Sequence, residues 1–441
     1  MPLNEILAIG CILSFFAMLA IGIPVALTLA VSGFVFGWLG FGPLLFNLLP
    51  ARIFGVTTNY TLIAIPLFVF MGVMLEKSRI ADDLMEVIGH LAGGLRGGMG
   101  IGIVLVGVLM GATTGIVGAT IVTLGLLTLP ALLRRGYDKG LACGTICASG
   151  TLGQLIPPSL ILILLADILG QSVGTLFAAA VGPGILLAGV FCLSMLVLGV
   201  LRPDMVPPVP LEERRALPRR VLVRKVLTVG LPPVALVLLV LGSIIGGVAA
   251  PTEAASMGAI GSVLVVALAG RLSRATLVDT VHTTARITAI MMFVLVCSQV
   301  FALAFRGLQG EKLVHDAFAL VPGGAEGVVL FMIALIFVLG FFIEWIEISY
   351  IVVPLFLPVL HNAGVDPVWT ATLIAAILQT SFLTPPFGWA LFYLRGVAPP
   401  EVATLDIYRG VLPFIAMQLL TVAIIFLWPP VATWLPRAIG W

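Results

Sequence analysis

The residues able to do chemistry in this chain of 441 residues are few and fall in four places. Ala112–Thr120 reads A-T-T-G-I-V-G-A-T. Thr113, Thr114 and Thr120 offer hydroxyl oxygens there, and Gly115 and Gly118 free the backbone to point carbonyls inward. Ser149-Gly150-Thr151-Leu152-Gly153-Gln154 runs into Ile156-Pro157-Pro158-Ser159. Both prolines lack an N–H, so carbonyls one turn upstream lose their helical partners. Thr380–Ser381 and Thr384-Pro385-Pro386 repeat that arrangement, and Glu344 and Glu347 stand in F-I-E-W-I-E-I-S. Freed carbonyls beside hydroxyls suit a dehydrated Na⁺. A carboxylate at the membrane midplane costs about 2.5–3.5 kcal/mol on insertion scales, so each Glu must face protein, water or a cation. Plainer roles stand beside these: a small-residue packing stripe at Gly107, Gly111 and Gly115, a proline kink without a ligand, and a water-exposed loop for the two Glu. Arg286, near the end of its span, snorkels to the interface.

Apolar residues make up 61% of the chain and charged residues 10%, against about 25% charged in an average soluble domain. That excludes a soluble enzyme, a disordered chain and a nucleic-acid binder. A net charge of +2 supplies no field for acidic partners. No phosphate-loop pattern is present, so the chain carries no ATPase domain, and neither His-Glu-x-x-His nor Gly-x-Ser-x-Gly occurs. The five Cys lie in apolar runs without ligand spacing. The class is an all-α, multi-pass protein of the bacterial inner membrane.

Hydropathy predicts spans at 4–21, 23–40 and 60–75, an interfacial helix over Glu76–His90, and an apolar segment at 98–133. That segment is too long for one helix and reads as a re-entrant hairpin with its tip at Ala112–Thr120. A helix over 139–169, broken at Ser149–Pro158, and a span at 173–201 complete the first half. Residues 202–225, with seven Arg and Lys, form a polar linker. The second half then supplies spans at 226–248, 253–270 and 283–305, an interfacial stretch at 306–325, a hairpin at 327–360, a broken helix at 367–394 and a span at 410–428.

The halves, 1–201 and 226–441, are related by more than order. At an offset of 228 residues, Pro130, Gly136 and Asp138 meet Pro358, Gly364 and Asp366, and Pro157, Pro158 and Gly182 meet Pro385, Pro386 and Gly410. Charge gives each copy its direction. The first hairpin ends beside Arg134, Arg135 and Lys139, the second beside His361, Asn362 and Pro367. By the positive-inside rule the first base is cytoplasmic and the second external. Of the 22 Lys and Arg, only Arg52, Arg306, Lys312 and Arg437 then lie outside. Two inverted repeats with discontinuous helices are the usual build of secondary transporters.

Pro251-Thr252-Glu253-Ala254-Ala255, Gly150-Thr151-Leu152-Gly153 with Ile156-Pro157-Pro158-Ser159, and Leu383-Thr384-Pro385-Pro386 with Gly388 together resemble the large membrane subunit of a tripartite ATP-independent periplasmic (TRAP) transporter. The resemblance covers nearly the whole chain. It implies an elevator-type ion-transporter fold, a small four-helix membrane partner, a periplasmic substrate-binding protein and a small organic acid as substrate. It implies Na⁺ as coupling ion in two regions, Thr113, Thr114 and Gly115 with Ser149, Gly150 and Gly153, and Glu344 with Thr380, Ser381 and Thr384. Thr151, Gln154 and Glu347 become candidates for the substrate cavity. Two residues depart from the family pattern. Ile116 follows Thr114-Gly115 where many relatives carry a second Ser, and Glu347 replaces a small residue, which leaves Na⁺, H⁺ or substrate contact open to it. A stand-alone Na⁺/dicarboxylate-type carrier is the alternative, and a polytopic membrane enzyme a more distant one.

The inversion makes a prediction. In a background without native Cys, a Cys replacing Arg135 resists a membrane-impermeant thiol reagent in whole cells, and one replacing Asn362 reacts. Equal accessibility of the two contradicts the threading.

Overall fold

Apolar side chains circle most of these segments, and a backbone in lipid must satisfy its own polar groups, so the segments become helices. The structure, a computed structural model, describes residues 2–92, 94–115, 117–210, 218–318 and 321–441, without the side chains of Ala81, Asp82, Ile88, Thr114, Arg219, His315, Ala317 and Phe318. Among the described residues there is no strand, and nine helices are long and apolar enough to cross a membrane.

The first half contains α1 (Leu3–Ala20), α2 (Val25–Phe41), α3 (Leu44–Thr57), α4 (Ala64–Lys77), α5 (Ile80–Ala92), α6 (Gly98–Thr114), α7 (Val117–Arg134), α8 (Lys139–Thr151), α9 (Leu160–Leu169) and α10 (Val173–Leu201). The second contains α11 (Arg219–Lys225), α12 (Leu231–Ile245), α13 (Pro251–Leu268), α14 (Arg274–Gly307), α15 (Gly310–Phe318), α16 (Gly324–Leu339), α17 (Trp345–Asn362), α18 (Pro367–Ser381), α19 (Trp389–Val397), α20 (Thr404–Leu427) and α21 (Pro430–Ala438).

Several boundaries differ from the expected ones. Helix α3 occupies a stretch for which hydropathy gave no element. It buries Leu45 and Leu49 against Val300 and Leu303 of α14, so tertiary packing holds it. Helix α11 begins inside the expected linker and runs through a π turn, Val226–Gly230, into α12. Residues 211–217 of that linker lie outside the described residues. Helix α14 extends well beyond 283–305, because its polar first turns remain helical after a Ser273 side-chain cap. Helix α5 projects charges from its polar face, where Asp83 pairs with Arg271 and Glu86 with Lys225, which keeps it an interfacial rather than a spanning helix.

Helices α1, α2, α4 and α12–α14 pack into one body, with α2 along α14 and α4 along α13. The hairpins, broken helices, α10 and α20 pack into another. Within it the pieces interlock. Helix α19 lies on α7 and α8, while α9 lies on α17 and α18. The matched sequence positions have matched jobs. Asp138 caps α8 by accepting the Leu141 N–H at 2.8 Å, and Asp366 caps α18 by accepting those of Val368 and Trp369 at 2.8 and 3.3 Å.

Helix α20 meets α8 glycine to glycine. A Cβ on Gly410 would sit 1.9 Å from the Gly140 carbonyl oxygen, and one on Gly144 would sit 2.0 Å from that of Gly410. Backbone cannot yield as a side chain can, so Gly410→Ala is expected to destabilise the protein by about 1–3 kcal/mol. Gly396→Ala, in open space on α19, should leave the unfolding temperature of the detergent-solubilised protein unchanged. Equal unfolding temperatures for the two variants would contradict this packing.

Candidate functional site

Two junctions of the same design lie where each hairpin tip meets the following broken helix. In the first, α6 ends at Thr114 and Gly115 closes it at φ +58°, with its N–H on the Gly111 carbonyl at 2.9 Å. The left-handed conformation there favours glycine. The tip is tighter than the expected Ala112–Thr120, because α7 restarts at Val117 and takes Gly118 and Thr120 into its first turns. Helix α6 has 17 residues and α8 only 13. At about 1.5 Å per residue neither reaches across a core of about 30 Å.

The break in the next helix also starts later than Ser149, since α8 continues to Thr151 and a 3₁₀ turn covers Leu152–Gln154. The prolines explain this. Pro157 denies a helical donor to the Gly153 carbonyl and Pro158 to that of Gln154, and nothing further upstream is affected. Ser159 Oγ donates to the Gln154 carbonyl, leaving Gly153. Gln154 in turn donates from Nε2 to the Gly115 carbonyl at 2.5 Å and so ties break to tip. The peptide bond between Pro157 and Pro158 is cis.

Close approach makes this junction possible. A Cβ on Gly107 would sit 2.5 Å from the Ser149 carbonyl oxygen, and one on Gly153 would sit 1.9 Å from the Gly111 Cα. The packing stripe is therefore real, and it presses the hairpin onto the break. Gly150 packs on Ile121. Thr113 and Thr151 spend their hydroxyl hydrogens on Met110 and Ala148 of their own helices, at 2.8 and 2.9 Å, which leaves oxygen lone pairs free to accept. Ser149 Oγ and Gln154 Oε1 are buried without a hydrogen-bond partner among the described residues. The side chain of Thr114, and Ile116 altogether, lie outside those residues.

The second junction repeats the construction with different side chains. Thr384 Oγ1 donates to the Gly340 carbonyl at 3.1 Å, and a Cβ on Gly340 would sit 2.9 Å from that of Ser381. Pro385 frees the Ser381 carbonyl and Pro386 that of Phe382, which accepts the Ala390 N–H at 3.1 Å. The Pro385–Pro386 peptide bond is cis. Thr380 and Ser381 turn their hydrogens back onto Ile377 and Leu378 at 2.7 Å. Glu344 caps α17 by position but makes no side-chain cap bond. With Glu347 it lines a cleft of about 900 Å³ between the α1–α2 turn, α14 and the start of α19. Glu347 is 5% exposed, and its Oε2 has no partner among the described residues.

Gly115, Gln154, Ser149 and Gly153 thus gather around one tip and Gly340, Ser381 and Thr384 around the other. Sequence reasoning did not single out Gly340 or Gln379, and it named Ser159 only within its motif, without the bond to the Gln154 carbonyl. Gln379, wholly buried one turn before the second break with its Oε1 unpartnered among the described residues, was detectable as the one amide in an otherwise apolar or hydroxyl-bearing helix.

Hard oxygen donors, two helix C-termini at each junction and paired hairpins define a polytopic membrane protein of transporter type. The fold matches two solved transporters, YdaH of Alcanivorax borkumensis (TM-score 0.61, 16% identity, 89% of each chain) and MtrF of Neisseria gonorrhoeae (TM-score 0.59, 13% identity, 88% of this chain and 84% of that one). The chain belongs to the tripartite ATP-independent periplasmic transporter family, DctM component, which matches residues 12–431. It is 30% identical to the ectoine/5-hydroxyectoine TRAP transporter large permease protein UehC of Ruegeria pomeroyi, over 96% of this chain and 97% of that one. It is 27% identical to the C4-dicarboxylate TRAP transporter large permease protein DctM of Vibrio cholerae, over 95% of each. The family is one of transporter permease subunits, so the chain is not an enzyme.

The Gln154 tie can be tested directly. Gln154→Leu keeps the bulk but leaves the Gly115 carbonyl unpaired, at a cost of about 1–3 kcal/mol. Amide exchange at Gly115 and Val117 should rise several-fold, with exchange across α2 unchanged. Unaltered protection at the tip would remove the tie from the account.

Proposed function

We propose that this chain is the large permease of an inner-membrane importer that couples uptake of a small organic acid to Na⁺ and works by an elevator movement. A periplasmic binding protein delivers the substrate, and a small four-helix membrane subunit completes the complex. Residues 1–201 and 226–441 act as inverted repeats. The body containing α1, α2, α4 and α12–α14 serves as scaffold, and the interlocked hairpins and broken helices carry the substrate. The UehC and DctM relatives, named for ectoine and C4-dicarboxylate transport, support the substrate class.

The observation that carries the reading is the duplicated junction. Each repeat has a hairpin tip held by a side chain of the following break and hydroxyls with lone pairs to spare, and the proline-freed carbonyls of Gly153 and Ser381 coincide at the 228-residue offset. Helix C-termini bring partial negative charge to the same place. The donors fit Na⁺. In the first region the ligands are the Gly153 carbonyl and Ser149 Oγ, with Thr113, Thr114, Gly115 and Gly150 around them. In the second they are the Ser381 carbonyl and the Thr380 hydroxyl, with Thr384 and Glu344 close in sequence or structure. Thr151, Gln154 and Glu347 lie toward the substrate.

Ser149→Ala separates an ion ligand from a packing residue. Removing a buried hydroxyl that has no hydrogen-bond partner costs folding little, so stability should hold. If Oγ binds Na⁺, apparent Na⁺ affinity for uptake in proteoliposomes carrying both partners falls at least about tenfold, or 1.4 kcal/mol. Wild-type Na⁺ dependence in the variant would remove Ser149 from the site. Equal uptake by the parent protein with K⁺ replacing Na⁺ on both sides would end the coupling proposal itself.

A further inference from the structure

A second large cavity, of about 820 Å³, is bounded by α5, α6, α10, α12 and the first break. Among the described residues that line it, none carries a charge or a hydroxyl. Its two ends differ. One lies at α5 and the π turn, where Leu84, Val226 and Leu227 form the wall, and the other at Ala112, Ile156 and Pro157 beside the first tip. From Leu227 to Leu241 the α12 wall rises about 20 Å at about 1.5 Å per residue, enough for the roughly 15 Å of hydrocarbon in one leaflet. Ile185, Leu227, Leu231 and Leu238 are each more than half exposed, so the cavity is an open groove. Glycine widens it, since a Cβ on Gly189 would meet nothing within 4 Å.

Basic charge gathers at the first of these ends. On the α12 wall Leu227, Leu231, Val234, Leu238 and Leu241 recur at helical spacing. The same spacing carried back one and two turns reaches Arg224 and Arg220 of α11. Both are exposed, and neither has an ion-pair partner among the described residues. Lys225 pairs with Glu86 of α5 and closes the corner between those two walls. Across the mouth Arg96 is exposed beside Gly199, two turns beyond Cys192 on α10. Arg202 and Asp204, which follow α10, balance in charge.

We propose that this groove is a binding site for an anionic phospholipid of the cytoplasmic leaflet. Its phosphate is held by Arg220 and Arg224, with Arg96 across the mouth, and one acyl chain runs up the groove to Pro157. Basic residues at the cytoplasmic end of a groove between spanning helices suit an anionic head group. Ordinary lipid-facing helices would account for exposed Leu and Ile. They do not account for a deep groove with its cations set at one end. The inference goes beyond the transport reading and draws on it for one point. In the proposed elevator α6 and α10 move against α12, so whatever bridges those walls must be exchangeable. A lipid is, whereas a protein subunit seated across both would tie them together.

The experiment uses two lipids that differ only in head group. A phosphatidylglycerol and a phosphatidylcholine, each with the same diazirine-bearing acyl chain, are added at equal mole fraction to nanodiscs holding the full chain and its small membrane subunit. After illumination, cross-links on residues 105–112 of α6 are counted relative to those on the rest of the chain. Phosphatidylglycerol should label this wall at least about fivefold more than phosphatidylcholine. Arg220→Gln with Arg224→Gln should bring the ratio close to one. Gly189→Phe, which fills the groove from a position with open space around it, should reduce labelling by both lipids, and Gly189→Leu should do so to a lesser degree. Unchanged unfolding temperatures show that the variants fold. Equal labelling by the two lipids, a preference that survives loss of both arginines, or full labelling in Gly189→Phe overturns the proposal. So does labelling that appears only once the small subunit is removed, which assigns the groove to that subunit. None of these readouts needs Na⁺, substrate or uptake, so failure of the coupling proposal and failure of this one are distinguishable.

Discussion

A polar backbone group left unpaired in an apolar surrounding costs several kcal/mol, and this chain breaks two of its helices among buried residues. The architecture around the breaks follows from meeting that cost. Gln154 closes the Gly115 carbonyl, Ser159 closes that of Gln154, Thr384 closes that of Gly340, and the Ala390 N–H closes that of Phe382. Each closure joins a tip to a break or spans a break. The proline pairs free the Gln154 and Phe382 carbonyls and the tips expose those of Gly115 and Gly340; three of the four are closed by side chains and the fourth by a backbone N–H. Among the described residues the Gly153 and Ser381 carbonyls, which lose their helical donors to Pro157 and Pro385, have no such closure, and they stand 228 residues apart in the two halves.

Such closures need backbones closer than side chains allow, which is why glycine recurs at the contacts. Gly107 and Gly111 bring α6 onto Ser149 and Gly153, and Gly340 brings the second tip onto Ser381. The same device acts at larger scale where Gly410 meets Gly140 and Gly144, and where Gly182 meets the Val431 carbonyl. Gly182 and Gly410 are one of the pairs aligned by the 228-residue offset. Each meets the backbone of a neighbouring helix, Gly410 that of α8 and Gly182 that of α21.

Much of this was legible in the sequence. Runs of apolar residues mark helices irrespective of tertiary context, and Pro-Pro pairs mark breaks because the missing N–H is a property of the residue itself. The family resemblance on those same motifs was confirmed. Details set by neighbours were not legible. Helix α3 depends on Val300 and Leu303 far along the chain, and α11 continues a helix through residues whose charge read as linker. The breaks were placed too early for a related reason. Threonine, serine and glycine look unlike helix interior, yet Ser149 and Gly150 stay helical because a proline releases only the carbonyl four residues behind it. Glu344 was legible as a costly charge, and the structure adds that it lines a cleft with Glu347. Side-chain direction decides that, and spacing along the chain does not encode it.

The interlocking of the halves has an energetic consequence for the proposed mechanism. Helix α19, which follows the second break, packs on α7 and α8 of the first hairpin and its partner helix, with Tyr393 against Gly118 and the Cys147 thiol on the Ala390 carbonyl at 3.7 Å. Helix α9, which follows the first break, packs on α17 and α18 of the second. Each junction is therefore continuous with a helix packed on the other half. A ligand that tightens the first break constrains α9 and through it the second hairpin, and one that draws in the second tip acts on α7 through α19. Ions at two sites that share such a body cannot be energetically independent if binding changes either junction, and any coupling between them must be reciprocal. The scaffold helices stand outside this exchange, since α2, α4, α13 and α14 pack chiefly on one another. In the proposed elevator the two ion sites travel inside one packed body, because the contacts that would have to slide are those with the proposed scaffold and not those that hold the junctions together.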